Sequence, residues 1–436
     1  MKNQEVNTIK VAELFAGVGG FRVGFENASR ELGVKDAFKV VWSNQWEPGD
    51  SKQYASKIYE KRWSDGLHVN SDISYIDKIP LDVDLLVGGF PCQDYSVAKS
   101  LSQAHGLSGK KGVLWWRIFT LLQNSDIPFV LLENVDRLLS SPSKQRGRDF
   151  AIMIASLNGL GYVVEWRVIN AADYGFPQKR KRAFIFAYKK NINLLNQINE
   201  SVHSWIYEKS VFAKAFPITA LNQDECIIQN SFSLIKDSKS SLMDKLKRVS
   251  DSFNNPFQKN QIFFNSGISI DYKIQTFKVK PSFHGKSLYL RDIIFDDQEI
   301  SSEYFVDEKD LIKWKEHKGA KAIPRTSKGG TTYLYSEGSM SFPDSLDKAA
   351  RTIVTGEGGR SPSRFKHIIK VSNGRYRRLI PEELELLNGF EPGHTKFDNI
   401  SPTKRAFLMG NALVTGIVAK FAKELYKDEN FPLDQI

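Results

Sequence analysis

From the N-terminus to about residue 190, short apolar runs alternate with stretches of helical periodicity. The runs Ile9–Phe15, Phe38–Trp42, Val83–Val87, Phe129–Glu133, Val163–Ile169 and Ala183–Tyr188 predict strands. Helices are predicted over Gly20–Leu32, Ser51–Lys61, Val113–Gln123 and Phe150–Leu160. Strands separated by helices need crossover connections, so the pattern predicts an α/β fold with a mostly parallel, doubly wound sheet. Ligands of such sheets sit at the carboxyl ends of the strands. From about 190 to 345 the apolar runs shorten and Asn, Ser, Asp and Lys become frequent. Two basic loops stand there, Lys278-Val279-Lys280-Pro281 and His317-Lys318-Gly319-Ala320-Lys321. A solvated insertion and a phosphate-contacting domain both fit that texture. Near the end, Val414, Ile417, Val418, Phe421 and Leu425 recur at helical spacing, predicting a helix whose apolar stripe packs on the first sheet.

Length and composition narrow the picture. A chain of 436 residues with 41% hydrophobic content suits two domains, or one enlarged by insertions. No apolar run approaches the roughly 18 residues of a membrane span, and Met1–Glu5 has no signal-peptide character, so a cytoplasmic protein is expected. Two cysteines, Cys92 and Cys226, exclude a disulfide scaffold, and the seven histidines lack zinc-ligand spacing, so no metal is expected. The net charge of +11 suits a polyanionic partner.

The chemistry-bearing residues fall just after the predicted strands. Glu13-Leu14-Phe15-Ala16-Gly17-Val18-Gly19-Gly20 closes the first strand and opens a helix, where glycines let a ligand approach the backbone. A plain tight turn would use the same glycines, and Arg22 breaks the dinucleotide fingerprint. Gln45 and Trp46 follow the second strand, and Asp72-Ile73 the next segment, offering polar and stacking contacts to the same ligand. Gly88-Gly89-Phe90-Pro91-Cys92-Gln93 places a thiol at a strand end. Most lone cysteines are inert, but a helix N-terminus there would favour the thiolate. Glu133-Asn134-Val135 ends another apolar run, where a carboxyl suits a proton-donating role or simply closes the strand. Gln178-Lys179-Arg180-Lys181-Arg182 precedes the last strand, and Arg180 and Arg182 would share a face if both lay in it.

In their order and spacing, the glycine-rich turn, Phe90-Pro91-Cys92-Gln93, Glu133-Asn134-Val135, Gln178-x-Arg180-x-Arg182 and Gly410-Asn411 resemble the DNA cytosine-5 methyltransferases of bacterial restriction–modification type. The resemblance covers residues 9–188 and 348–425. It implies an S-adenosylmethionine-dependent methyltransferase fold with a smaller target-recognition domain, divided as 1–190 catalytic, 191–400 recognition and hinge, and 401–436 returning to the catalytic part. It also implies that Cys92 adds to carbon 6 of a flipped cytosine, that Glu133 acts at N3, and that Arg182, with Arg180 near it, holds O2. Residues 93–112, with Gly106, Gly109 and Gly112, would form the loop closing over the flipped base. S-adenosylmethionine would meet Phe15, Gly17, Gly20, Gln45, Trp46, Asp72, Ile73, Leu114 and Asn411. The implied partner is double-stranded DNA, bound by a monomer, with a separate restriction endonuclease as a possible companion.

Two departures stand out: Gln45 replaces the family's usual Glu, with Glu47 nearby, and Ala412 replaces a frequent Ser. An RNA cytosine-5 methyltransferase and a silent DNA-binding regulator on the same scaffold are the rival readings. The long region from 190 to 345 weighs against the first, and Cys92 together with Glu133 against the second. Cys226 has no assigned role.

Overall fold

The computed structural model describes residues 7–80, 82–91, 114–220, 229–235, 239–254, 262–326, 330, 332–397 and 399–429. Cys92, Gln93, the segment carrying Gly106, Gly109 and Gly112, and Cys226 lie outside the described residues. The chain divides into two compact units. The first comprises Met1–Tyr174, Lys181–His284 and Thr415–Ile436, and the second Gly175–Arg180 and Gly285–Val414.

The first unit is built on a ten-stranded sheet. Its strands are β1 (Ile9–Leu14), β2 (Phe38–Asn44), β3 (Leu67–Val69), β4 (Leu85–Gly89), β5 (Phe129–Val135), β6 (Tyr162–Asn170) and β7 (Lys181–Lys189), joined by β9 (Gln229–Ser233), β10 (Ser266–Ile270) and β11 (Lys273–Phe277). A short separate ribbon pairs β8 (Ile218–Ala220) with β12 (Val279–Pro281). The order is β3-β2-β1-β4-β5-β7-β6-β10-β11-β9. The pairings among β1 to β5 are parallel, and every pairing from β5–β7 outward is antiparallel. The α/β arrangement expected from the alternation is present, but the sheet is mixed. The motifs occupy its parallel half and the β7 edge of that half. Strand order reverses between β1 and β4, which places the carboxyl ends of those two strands at the switch point where α/β sheets bind ligands.

The helices α1 (Gly20–Leu32), α2 (Tyr54–Arg62), α3 (Leu114–Asn124) and α4 (Arg148–Gly159) connect these strands. Helix α1 has the predicted limits because Gly19 and Gly33, both left-handed, bracket it. Core residues from α3, α4 and the strands, among them Trp115, Ile118, Phe150 and Ile185, form a continuous apolar cluster. Two boundaries differ from the expected ones. The polar texture of residues 191–284 groups them with the middle region, yet β10 pairs with β6 and extends the first sheet. Residues 401–414 belong to the second unit, and only the helix Thr415–Lys427 belongs to the first. There Ile417, Val418, Phe421 and Leu425 are buried as predicted. Val418 packs where a Cβ on Gly24 would intrude, 2.5 Å away, so this helix and α1 meet backbone to side chain.

The second unit holds the hairpins β13 (Lys321–Thr326) with β14 (Thr332–Glu337) and β15 (Ile368–Lys370) with β16 (Tyr376–Arg378). It also contains the helices Glu308–Lys318, Pro381–Leu387 and Pro402–Asn411. Buried charge is paired there: Arg377 meets Glu383 at 2.8 Å and Arg405 meets Glu385 at 2.8 Å. Among the described residues Pro402–Lys427 is long and apolar enough to cross a membrane by composition, correcting the expectation that none is. It is, however, two helices interrupted after Asn411, and 67% of its apolar window is buried in the protein.

Candidate active site

The glycine turn after β1 is fixed by contacts that its sequence makes possible. Phe15 and Gly17 lie in the left-handed region at φ 53° and 56°, and Gly19 at φ 84°. A Cβ on Gly19 would sit 2.3 Å from the Trp63 ring, so both conformation and space require glycine. The Gln45 side-chain oxygen accepts the Gly17 N–H at 2.7 Å. This anchors the turn to the end of β2 and gives Gln45 a role that its sequence did not suggest. Trp46 is 37% exposed, unlike the buried Trp42, Trp115, Trp166 and Trp205, and so presents an aromatic face. Asp72 caps the short turn Ile73–Tyr75 by accepting Ser74 N–H at 2.9 Å, and Ile73 is buried. Leu114 begins α3 and packs partly against the core. An exposed indole, an acid at a turn start and open space beside Gly17 suit an adenosine-bearing cofactor. Asn411 ends its helix in the second unit and is exposed there, while neighbouring Gly410 leaves no room for a Cβ against Thr355 N, 2.4 Å away.

Beneath the turn lies a polar cluster that sequence reading missed. Glu13 is fully buried in β1 and accepts the Tyr59 hydroxyl at 2.9 Å, and its other oxygen has no partner among the described residues. Burial pushes the Glu13 carboxyl up to about 7 and raises the Tyr59 hydroxyl well above its usual range. His68 stacks on Tyr59 at 4.6 Å and bonds Ser43 and Ser56, each at 2.8 Å. Burial lowers it to about 4, with nearby Arg22 adding to the effect, so it is neutral at physiological pH. The available signal was a single acid inside the apolar run Ile9–Phe15.

The raised Glu13 pKa has a consequence for stability. The folded state favours the protonated acid, so its advantage is complete below about 4.5 and is lost as pH rises to about 7. Measured by denaturant unfolding, the stability of Glu13→Gln relative to wild type should therefore rise by about 3 kcal/mol between pH 4 and pH 8. A difference that does not vary with pH would refute the assignment.

At the other side of the switch point, β4 ends at Gly88-Gly89 and the chain runs into Phe90-Pro91. Asn134, buried at the end of β5, donates to the Phe90 carbonyl at 3.0 Å and accepts Val135 N–H at 2.8 Å. The middle residue of Glu-Asn-Val thus ties the turn that leads into Cys92 to the strand carrying Glu133. Glu133 pairs with Gly89 on one side and Phe184 on the other. Arg182 stands opposite Val135, diagonal to Glu133, and its Nε reaches Glu133 Oε1 at 2.8 Å. A Cβ on Gly89 would press on Glu133 Oε2 at 3.2 Å, so the small residue leaves room for the carboxylate.

Arg180 does not join them. The alternation expected of Arg180 and Arg182 fails because β7 begins at Lys181, after Arg180. Arg180 is buried in the second unit and donates to the Ile353 and Gly410 carbonyls at 3.2 and 3.1 Å. Gln178 is likewise buried, accepting Ile353 N–H at 3.1 Å and donating to Asn388 at 2.8 Å. Of this basic motif, the structure brings only Arg182 to Glu133.

The sequence matches the family model of C-5 cytosine-specific DNA methylase over residues 9–427. The chain belongs to that family. Along nearly its whole length this methylase is similar to the type II methyltransferase M.Sau3AI of Staphylococcus aureus, with 42% identity over 434 residues, 99% of this chain and 98% of that protein. It is also similar to M.HhaI of Haemophilus parahaemolyticus, 30% identical over 198 residues, 45% of this chain and 54% of that protein. Its fold is similar to that of Spodoptera frugiperda DNMT2, with a TM-score of 0.56 at 13% identity, covering 96% of this chain and all of that one. The S. pombe Dnmt2 methyltransferase gives 0.54 at 16% identity, covering 96% and 98%. The methylase is an enzyme, a DNA cytosine-5 methyltransferase, of the kind found in type II restriction–modification systems.

Proposed function

We propose that this methylase acts on cytosine within one short sequence of duplex DNA, by covalent catalysis on a flipped base, and protects DNA in a restriction–modification system. The observation that carries the reading is the Glu133–Arg182 pair at 2.8 Å, on the strand that Asn134 ties to the turn before Cys92. A cytosine carbon 5 is a poor nucleophile and must be activated. The Cys92 thiolate adds to carbon 6, forming an S–C bond while the carbon 5–carbon 6 double bond opens toward carbon 5. Glu133 donates a proton to ring N3, and Arg182 takes the O2 oxygen. S-adenosylmethionine, when bound, supplies an electrophilic methyl group for carbon 5. Loss of the carbon 5 proton to solvent re-forms the double bond and expels Cys92 as its thiolate, and ring N3 returns its proton to Glu133. The atoms involved are out of reach inside a duplex, so the base is flipped out of the stack.

Phe15, Gly17, Gly20, Trp46, Asp72, Ile73 and Leu114 are proposed to hold the cofactor, Trp46 and Ile73 on its adenine. Gln45 acts through the turn, since its oxygen is engaged by Gly17. Recognition of sequence is assigned to the second unit and above all to the β13–β14 ribbon. Two strands fit a major groove, and this ribbon exposes Ile323, Tyr333 and Leu334, with Arg325 stacked over Tyr335 at 3.8 Å. Arg325→Ala should lower discrimination at one base position by about 1–3 kcal/mol while methylation itself persists. Unchanged preference in methylation mapping would remove the ribbon from the readout. The enzyme is expected to act as a monomer, with any nuclease acting separately.

Expression in a bacterial host lacking cytosine methylation, followed by genome-wide 5-methylcytosine mapping, tests the whole reading. Modification at one short recurring sequence is the expected result. A blank genome from soluble, well-expressed protein would overturn it in favour of RNA or of a silent scaffold.

A further inference from the structure

The loop that follows Glu133 is basic and has no role in the chemistry above. Between β5 and α4, Arg137, Ser140, Ser141, Ser143 and Arg146 line a cavity of about 450 Å³. The loop is held from behind. Gln145 N–H donates to the Pro142 carbonyl at 3.2 Å, and Asn254 donates to the Arg146 carbonyl at 2.7 Å. Gly147 turns into α4 at φ 85°, with Phe263 packed where its Cβ would be, 2.9 Å away. The framework is therefore fixed by backbone bonds, not by the arginine side chains.

The charges of this loop are unbalanced. Its two acids are answered locally: Asp136 faces Lys181 at 3.4 Å, and buried Asp149 meets Arg148 at 3.3 Å. Arg137 and Arg146 have no ion-pair partner among the described residues, and both are exposed. Ser140 and Ser141 hydroxyls donate to the Arg137 carbonyl at 3.2 Å and to Asp149 at 3.4 Å, and their lone pairs and rotation leave them able to turn outward. Two guanidiniums and three hydroxyls around one cavity, with no acid lining it, make a site for a tetrahedral oxyanion.

Position identifies which oxyanion. Arg137 is four residues beyond Glu133, so the two Cα atoms are at most about 14 Å apart. A strand whose cytosine lies on Glu133 has its own phosphates within that range. We propose that the Arg137–Arg146 cavity binds a backbone phosphate of the DNA close to the target cytosine, fixing the register of the strand on the enzyme. This rests on the reading that Glu133 receives a cytosine from duplex DNA.

The test is binding of a dye-labelled duplex, carrying the sequence found by methylation mapping, measured by fluorescence anisotropy over a range of salt concentrations. The double variant Arg137→Gln/Arg146→Gln should bind about tenfold more weakly at low salt. Its plot of log affinity against log salt should be shallower by about 0.9, the value for one lost phosphate contact. The pair Arg137→Lys/Arg146→Lys should restore the slope. A control removing the same charge elsewhere, Lys39→Gln/Lys57→Gln, should leave it at the wild-type value. A wild-type slope in the glutamine variant, or an equal fall in the control, overturns the proposal. Methylation by the wild-type protein is followed in the same samples: its absence would overturn the reading of Glu133 as well, whereas methylation with an unaltered slope overturns the phosphate site alone.

Discussion

Replacing Cys92 by alanine should abolish methyl transfer, by at least about 10⁴-fold in single-turnover rate, while duplex affinity changes by no more than about threefold. The asymmetry follows from what the thiol does. In the proposed mechanism it forms the bond that makes carbon 5 nucleophilic, a step for which no other side chain substitutes, whereas affinity for DNA comes mainly from phosphate contacts distributed over the surface. Cys92 follows in sequence the Phe90-Pro91 turn, whose Phe90 carbonyl Asn134 holds at 3.0 Å, and loss of one sulfur atom removes none of those contacts. A duplex carrying 5-fluorocytosine gives an independent readout, because the covalent adduct cannot lose fluorine from carbon 5 and is trapped. With S-adenosylmethionine present, wild type should form a denaturation-resistant complex with it, and Cys92→Ala should form none. Residual methylation above one part in about a thousand would remove Cys92 from the mechanism.

Glu133→Gln should slow methylation by about 10²- to 10⁴-fold, the range for loss of a positioned proton donor. Glutamine keeps the size and one hydrogen-bond acceptor but gives up the ionisable proton and the charge that Arg182 contacts at 2.8 Å. The loss should fall on the single-turnover rate, with duplex affinity little altered. Because the proposed mechanism puts Glu133 and Arg182 on one ring, the double variant Glu133→Gln/Arg182→Lys should be less impaired than the product of the two single effects. Strict multiplication of the effects, or a Glu133→Gln rate within about threefold of wild type, would separate the pair from catalysis.

Much of the organisation was legible in the residue order. Apolar runs marked the six strands β1, β2, β4, β5, β6 and β7 to within a few residues, and glycines at both ends marked α1. Leu67–Val69 and Gln229–Ser233 carry weak apolar patterns, and both pair at edges of the sheet where little side-chain burial is required. The stretch 191–284 read as an insertion because its strands are short and polar, yet β10 is buried between β6 and β11. Its small and polar residues Gly267 and Ser269 are matched by buried partners: Ser269 donates to Asn158, and the Trp166 ring fills the space a Cβ on Gly267 would need.

The candidate site divides in the same way. That Glu133 lies near the end of a strand and that a glycine turn follows β1 could be read from local pattern, since both depend on residues adjacent in the chain. Arg180 shows the limit. Two residues from Arg182, it lies before the strand and spends its guanidinium on the Ile353 and Gly410 carbonyls, more than 170 positions away. The bond from Gly17 N–H to the Gln45 side-chain oxygen, across 28 positions, likewise depends on packing. Element type and motif position follow from periodicity and turn chemistry, which act over a few residues. Which side chains meet is decided by strand register and by which buried donors and acceptors must find partners, and those are settled only when distant segments are packed together.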